Sequence, residues 1–188
     1  MHSTLLPYGI ALILLPAAAT PLYGQVKNEE YVRAAVQGAP ERISGQAAVV
    51  RIEPGGKTSS LRKGSNGFTC ALFPDASLAP VCANEQGWAW LTAALSEKPK
   101  PPNTQPGIAY MAKGGIHHET PDGKSVMKPT PETKEVKEPP HWMILWPLDP
   151  ARTGLPTEPN AGGTYVMFDG TPYAHLMIHQ DPEMLEKE

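Results

Sequence analysis

Twenty-two prolines and 17 glycines stand between the short apolar runs of this chain, and that punctuation limits what it can fold into more than any other feature. Proline lacks the amide hydrogen that a helix interior or a central strand uses, and it disfavours helical backbone at the residue before it. The pattern argues against a helical bundle and for short elements joined by many turns. Apolar residues still make up 40% of the sequence, enough for a packed core. The expectation is a loop-rich α+β fold, mainly an antiparallel sheet with one or two packed helices and one disulfide.

Pro7 to Ala19 (PYGIALILLPAAA) is an apolar run followed by small residues, and the first charge arrives only at Lys27. A spanning helix needs about 20 apolar residues. This run is shorter and contains Pro7 and Pro16, so it reads as a cleaved export signal over residues 1–24, not as a stable membrane anchor. The MHSTLL segment ahead of it departs from the usual signal in having no Lys or Arg. The resulting expectation is a secreted or periplasmic protein: a single α+β domain over residues 25–179, then a mobile acidic tail over residues 180–188. A net charge of −3 argues against a nucleic-acid partner.

Cys70 and Cys82 are the only cysteines, and export lets them oxidise and stay oxidised. Their spacing is not the Cys-x-x-Cys of a redox pair, so a structural disulfide is expected. Asn28 to Gln37 has helical spacing of Tyr31, Val32, Ala35 and Val36, with Asn28 placed to cap it and Gly38 to end it. Ala47–Ile52, Ser59–Arg62 and Phe68–Phe73 predict a small antiparallel meander. Asn84 is placed to cap a helix reaching about Ser96, with Trp88, Leu91 and Leu95 on one face. Lys98 to Gln105 (KPKPPNTQ) predicts a surface connector, and Gly107–Met111 and His141–Trp146 predict strands. His117 to Pro140, with five prolines and few apolar side chains, predicts an irregular mobile loop or lid. Asp169-Gly170 predicts a two-residue hairpin turn, which would pair Phe168 with Thr171, Val166 with Tyr173, and Thr164 with His175.

His141-Trp142-Met143 and His175-Leu176-Met177 repeat one pattern, and the strand period of two puts each His and Met on a common face. Imidazole with thioether is a soft donor set that favours copper, particularly Cu(I), so His141, Met143, His175 and Met177 are candidate metal ligands. Met111, His117, His118 and His179 are possible supplements. Core packing explains the same methionines. His117-His118 by itself reads as solvated, because adjacent side chains on an extended segment diverge. Trp142 and Trp146 fall on the face opposite His141 and form either a ligand platform or part of a core. Tyr110 and Tyr173 are candidate ligand-binding residues, and either would also stand near His175 if that residue acted as a base. The chain has no Gly-x-Ser-x-Gly, His-Glu-x-x-His, phosphate loop or haem-attachment motif.

Five segments in order carry a resemblance: Lys63-Gly64-Ser65-Asn66-Gly67-Phe68-Thr69-Cys70; Cys82 with Trp88; Gly107-Ile108-Ala109-Tyr110-Met111 with Gly114-Gly115; Pro140-His141-Trp142-Met143; and Gly170-Thr171-Pro172-Tyr173-Ala174-His175-Leu176-Met177. Over Lys63 to Ile178 the chain resembles a family of uncharacterised exported bacterial proteins. The resemblance implies export and a shared fold, and brings no activity, cofactor or partner with it. Function is therefore expected to be that of a non-catalytic exported protein, structural or ligand-binding. A copper-binding or copper-chaperone role is the alternative, and a hydrolase using His175 as base is a further one.

Overall fold

The computed structural model describes residues 27–158 and 163–186; the expected export signal lies outside the described residues. An eight-stranded mixed sheet dominates the fold. Its strands are β1 (Ala48–Ile52), β2 (Thr58–Arg62), β3 (Phe68–Leu72), β4 (Pro80–Asn84), β5 (Gly107–Met111), β9 (His141–Leu145), β10 (Thr164–Met167) and β11 (His175–Ile178). They lie in the order β10-β11-β9-β5-β4-β3-β1-β2. A second sheet, ordered β7-β6-β8, consists of β6 (Gly115–Glu119), β7 (Ser125–Val126) and β8 (Lys134–Glu138). The helices are α1 (Asn28–Ala35), α2 (Glu41–Ser44), α3 (Glu85–Leu95) and α4 (Pro150–Thr153). The fold is α+β, as the punctuated sequence predicts. None of these helices is long and apolar enough to cross a membrane.

Both faces of the large sheet are packed along part of its width. Val81, Ala83, Ala109, Met143, Leu145 and Met177 meet Trp90, Leu91 and Ala93 of α3 on one face. Val49, Cys70, Leu72 and Cys82 meet Tyr31 and Ala35 of α1 on the other. Cys70 and Cys82 are directly opposite in the antiparallel β3–β4 ladder and are joined by a disulfide. Their side chains belong to the α1 face because alternate residues of a strand point to opposite sides.

Asn84 caps α3 as expected: its Oδ1 accepts from the Gly87 amide at 2.9 Å and from the Ile108 amide at 3.0 Å, tying the helix start to β5. The crossing is close enough to need glycine on both sides. A Cβ at Gly107 would collide with the Cα and N of Gly87, and one at Gly87 would lie 2.7 Å from the Ile108 carbonyl oxygen. Gly107→Ala is expected to destabilise the protein by about 2 kcal/mol, because the obstructing atoms are backbone and cannot rotate away. Urea unfolding measures it, and an unchanged midpoint would contradict this close approach.

Five sequence expectations are corrected. β3 does not continue an antiparallel meander. It pairs parallel to β1, Val49 facing Cys70, while β2 lies on the other side of β1. Residues 63–67 make the crossing past the start of β1, where the Ser65 amide donates to Gln46 O and a Cβ on Gly64 would strike Ala48 N. Asn28 is the first helical residue, not the cap, and its Oδ1 accepts from Arg51 Nη2 at 3.2 Å. On α3 the buried aromatic is Trp90, with Trp88 half-buried. The predicted hairpin turn is a longer loop, and Thr164 faces Ile178 while Met167 faces His175. Pro172 lies in this loop, where its missing N–H breaks no ladder bond. The register slips by an odd number, which exchanges the faces and sets His175 and Met177 beside Met167 and Tyr165.

The fifth correction is the largest. His117 to Pro140, expected as an irregular loop, contains most of the small sheet. Its turns come from the Gly and Thr residues: Thr120 accepts the Gly123 amide, and Thr133 bonds back to Thr130. Within the segment expected as a mobile acidic tail, residues 182–186 form a 3-10 helix that begins on the buried Pro182.

Candidate functional site

Period-two alternation on β6 puts His117 and Glu119 on one face, and β8 runs antiparallel beside it with His117 facing Val136 and Gly115 facing Glu138. Because Gly115 has no side chain, the Glu138 carboxylate can turn towards His117. His117 Nδ1 lies 2.6 Å from Glu138 Oε1, and its Nε2 lies 2.9 Å from Glu119 Oε1. Glu119 also meets Lys134 Nζ at 2.9 Å. Glu138 reaches the large sheet as well: the Tyr165 hydroxyl donates to its Oε1 at 2.7 Å, and His179 Nε2 lies 2.5 Å from its Oε2. The two short histidine contacts to Glu138 are out of line with the ring N–H directions, so they are ion contacts and not aligned hydrogen bonds. His117 is 6% exposed, which corrects the expectation that it is solvated.

The charges in this cluster hold one another in place. Burial alone would push the Glu138 carboxyl up, but the contacts from His117, His179 and Tyr165 outweigh it and hold it well below the usual carboxylate range. Burial opposes charge on His117 too, and Glu138 with Glu119 overcome that and raise its pKa. Burial and then the Glu138 charge push the Tyr165 hydroxyl up, so it stays a donor.

A pH dependence follows from these directions. His117, raised from 6.5, contributes stability that is full below pH 6.5 and fades as the pH rises through its raised value. Glu138, lowered from 4.5, contributes stability that is full above pH 4.5 and fades as the pH falls towards its lowered value. The groups facing these two are Glu119, Lys134, Tyr165 and His179, with His141 beyond them. The stability lost in His117→Gln, read by urea unfolding, is expected to be greatest between about pH 4.5 and 6.5 and to shrink in alkali. A loss that stays constant to alkaline pH would show that His117 is not held as an imidazolium.

This cluster closes one end of a cavity of about 370 Å³ between α3, the small sheet and the α3 face of the large sheet. Its walls include Trp90, Leu91, Ile116, Val126 and Phe168, and its floor includes His141, Met143, His175 and Met177. The four candidate metal ligands therefore lie on one face and border one space. They do not form one metal centre. The β9–β11 register places Met143 opposite Met177 and extends to set His175 beside Leu145, four residues from His141. At strand rise that is roughly 13 Å, whereas a shared ion at about 2 Å from each nitrogen needs the imidazoles within about 4 Å.

Each imidazole is tethered to its own strand. His141 Nδ1 lies 2.7 Å from Pro139 O, and His175 Nδ1 lies 2.9 Å from Tyr173 O. A carbonyl oxygen only accepts, so Nδ1 carries the hydrogen on both rings and Nε2 presents a lone pair. Among the described residues neither Nε2 has a hydrogen-bond partner. Burial pushes both rings down, His175 to about 4, so both are neutral near pH 7.

The two tyrosines are separated. Tyr110 lies on the opposite face of the sheet from the cavity, stacked on Trp142 with ring centroids 6.4 Å apart. Tyr173 is edge-on to Trp90 at 5.1 Å and donates its hydroxyl to Lys98 O at 2.7 Å. Neither borders the cavity. The buried cluster of His117, Glu119, Glu138, Tyr165 and His179 is what sequence reasoning missed. The available signal was the alternation in GIHHE, obscured by the prolines that follow. Among the described residues no group of three or more His, Cys, Asp and Glu side chains is arranged to hold a metal ion.

No family model, curated protein or solved structure matches this chain. The cavity itself therefore carries the functional argument.

Proposed function

We propose that this chain is an exported, non-catalytic ligand-binding protein whose ligand occupies the cavity between α3 and the two sheets. The observation that carries the reading is a partly open cavity of about 370 Å³ with thioether and aromatic walls, bordered by two buried imidazoles whose Nε2 atoms have no hydrogen-bond partner among the described residues. Binding pockets are characteristically apolar with a few placed polar groups. Export is supported by the Cys70–Cys82 disulfide, which persists in an oxidising compartment. The cavity favours binding over hydrolysis because His175, lowered to about 4, is a weak proton acceptor at neutral pH. Neither candidate tyrosine stands free beside it.

The test uses the uncharged dye N-phenylnaphthylamine, whose fluorescence rises in apolar surroundings. The wild type is expected to bind it. Ala94→Trp, which places an indole on the α3 wall of the cavity, is expected to abolish binding while leaving the fold intact. No enhancement with wild type, or equal enhancement with both proteins, would overturn the reading.

A further inference from the structure

The cavity floor is a file of soft donors whose order emerges only from the strand register. On one face, His141 sits opposite Met111 of β5, Met143 sits opposite Met177, and His175 sits opposite Met167 of β10. Residues two apart on a strand share a face, so Met143 also neighbours His141 and Met177 neighbours His175. Each imidazole thus has two thioethers beside it, one across the ladder and one along its own strand. All six side chains border the cavity.

We propose that this face binds a soft monovalent metal, Cu(I) or Ag(I), with His141, Met111 and Met143 around one ion and His175, Met167 and Met177 around a second. The proposal rests on the ligand-binding reading of the cavity and names its ligand. Directly opposed residues have Cβ atoms about 5 Å apart, and the three rotatable bonds of Met allow its sulfur to approach a neighbouring imidazole nitrogen. Thioether and imidazole without carboxylate select Cu(I) over harder cations. Both histidines are 2% exposed with Nε2 unpartnered, and both have Nδ1–H bonded to a backbone carbonyl. That is the arrangement by which proteins orient a metal-ligating imidazole. Met143 and Met177 stand face to face between the two sets, so the sites adjoin through a thioether pair.

Anaerobic titration against the chromogenic Cu(I) chelator bicinchoninate tests this with the whole protein. Wild type is expected to withdraw about two equivalents, and Met167→Leu with Met177→Leu, or Met111→Leu with Met143→Leu, about one. Met-to-Leu changes conserve volume and keep the fold, which near-ultraviolet circular dichroism would verify. A second measurement avoids mutation altogether: on adding Ag(I) to wild type, the ¹⁵N resonances of Nε2 in His141 and His175 are expected to shift much more than those of Nδ1. No copper withdrawn from the chelator, or withdrawal undiminished in both methionine variants, would overturn the proposal. If neither ion binds while N-phenylnaphthylamine does, the metal sites fall and the cavity remains an organic-ligand site.

Discussion

Glu138→Gln is expected to destabilise the protein by about 3 kcal/mol or more, the scale for removing one partner of a buried ion pair. Glu138 is 8% exposed and its carboxylate receives Tyr165, His117 and His179. The glutamine keeps the size of the side chain but removes the charge, leaving His117 with Glu119 as its one carboxylate partner and His179 without a carboxylate beside it. Tyr165→Phe, which removes one donor to that carboxylate, should cost less, about 2 kcal/mol. The two effects are read from urea midpoints at neutral pH. Location distinguishes the mechanism from general loosening. Glu138 lies on β8, and its contacts to Tyr165 and His179 tie the small sheet to the large one. Amide exchange in Glu138→Gln should therefore accelerate more over residues 115–138 than over β4 and β5. Equal acceleration everywhere, or a loss below about 1 kcal/mol, would show that the cluster does not anchor the small sheet.

The second large effect is expected from the disulfide. Replacing Cys70 and Cys82 by alanine together should cost about 3 kcal/mol, since a cross-link spanning 12 residues removes that much chain entropy from the unfolded state. Both side chains are fully buried between the sheet and α1, so a small packing loss adds to it. Burial also makes reduction depend on opening of the fold. The native protein in dithiothreitol should lose the bond only as fast as β3 and β4 separate, and much faster in denaturing urea. A double variant as stable as wild type would mean that β3–β4 pairing alone holds this region, and immediate reduction under native conditions would contradict the burial.

The elements legible in the sequence are those whose signals are local. Asn84 announces the start of α3 because an N-cap acts on amides two or three residues away. Gly107–Met111 and His141–Leu145 emerge as strands because short apolar runs between breakers have few alternatives. The 164–178 hairpin shows how local signals mislead. Asp169-Gly170 is a strong turn signal, and the Thr171 amide does bond to Phe168 O, yet a second turn follows in which the Ala174 amide bonds to Thr171 O, and the connection becomes a longer loop. That change of register replaced Thr164 by Met167 as the neighbour of His175. The polar run from His117 to Glu138 failed for the opposite reason. Its buried histidine and glutamates satisfy one another, so low hydrophobicity there marks an internal ion cluster and not a mobile loop.

The sequence by itself determined the α+β class, the disulfide, the positions of most central strands, and the fact that His141 and Met143, like His175 and Met177, share faces. Each depends on spacing within a strand, on a cap within one turn, or on there being only two cysteines. Only the tertiary structure decided which strands are neighbours. It paired His141 with Met111 and His175 with Met167, set the two imidazoles apart, and brought Glu138 to a tyrosine 27 residues away. Those pairings are chosen by the burial of whole strand faces against α1 and α3 and by the mutual neutralisation of buried charges. Both are sums over contacts distant in sequence, so no window of neighbouring residues contains them.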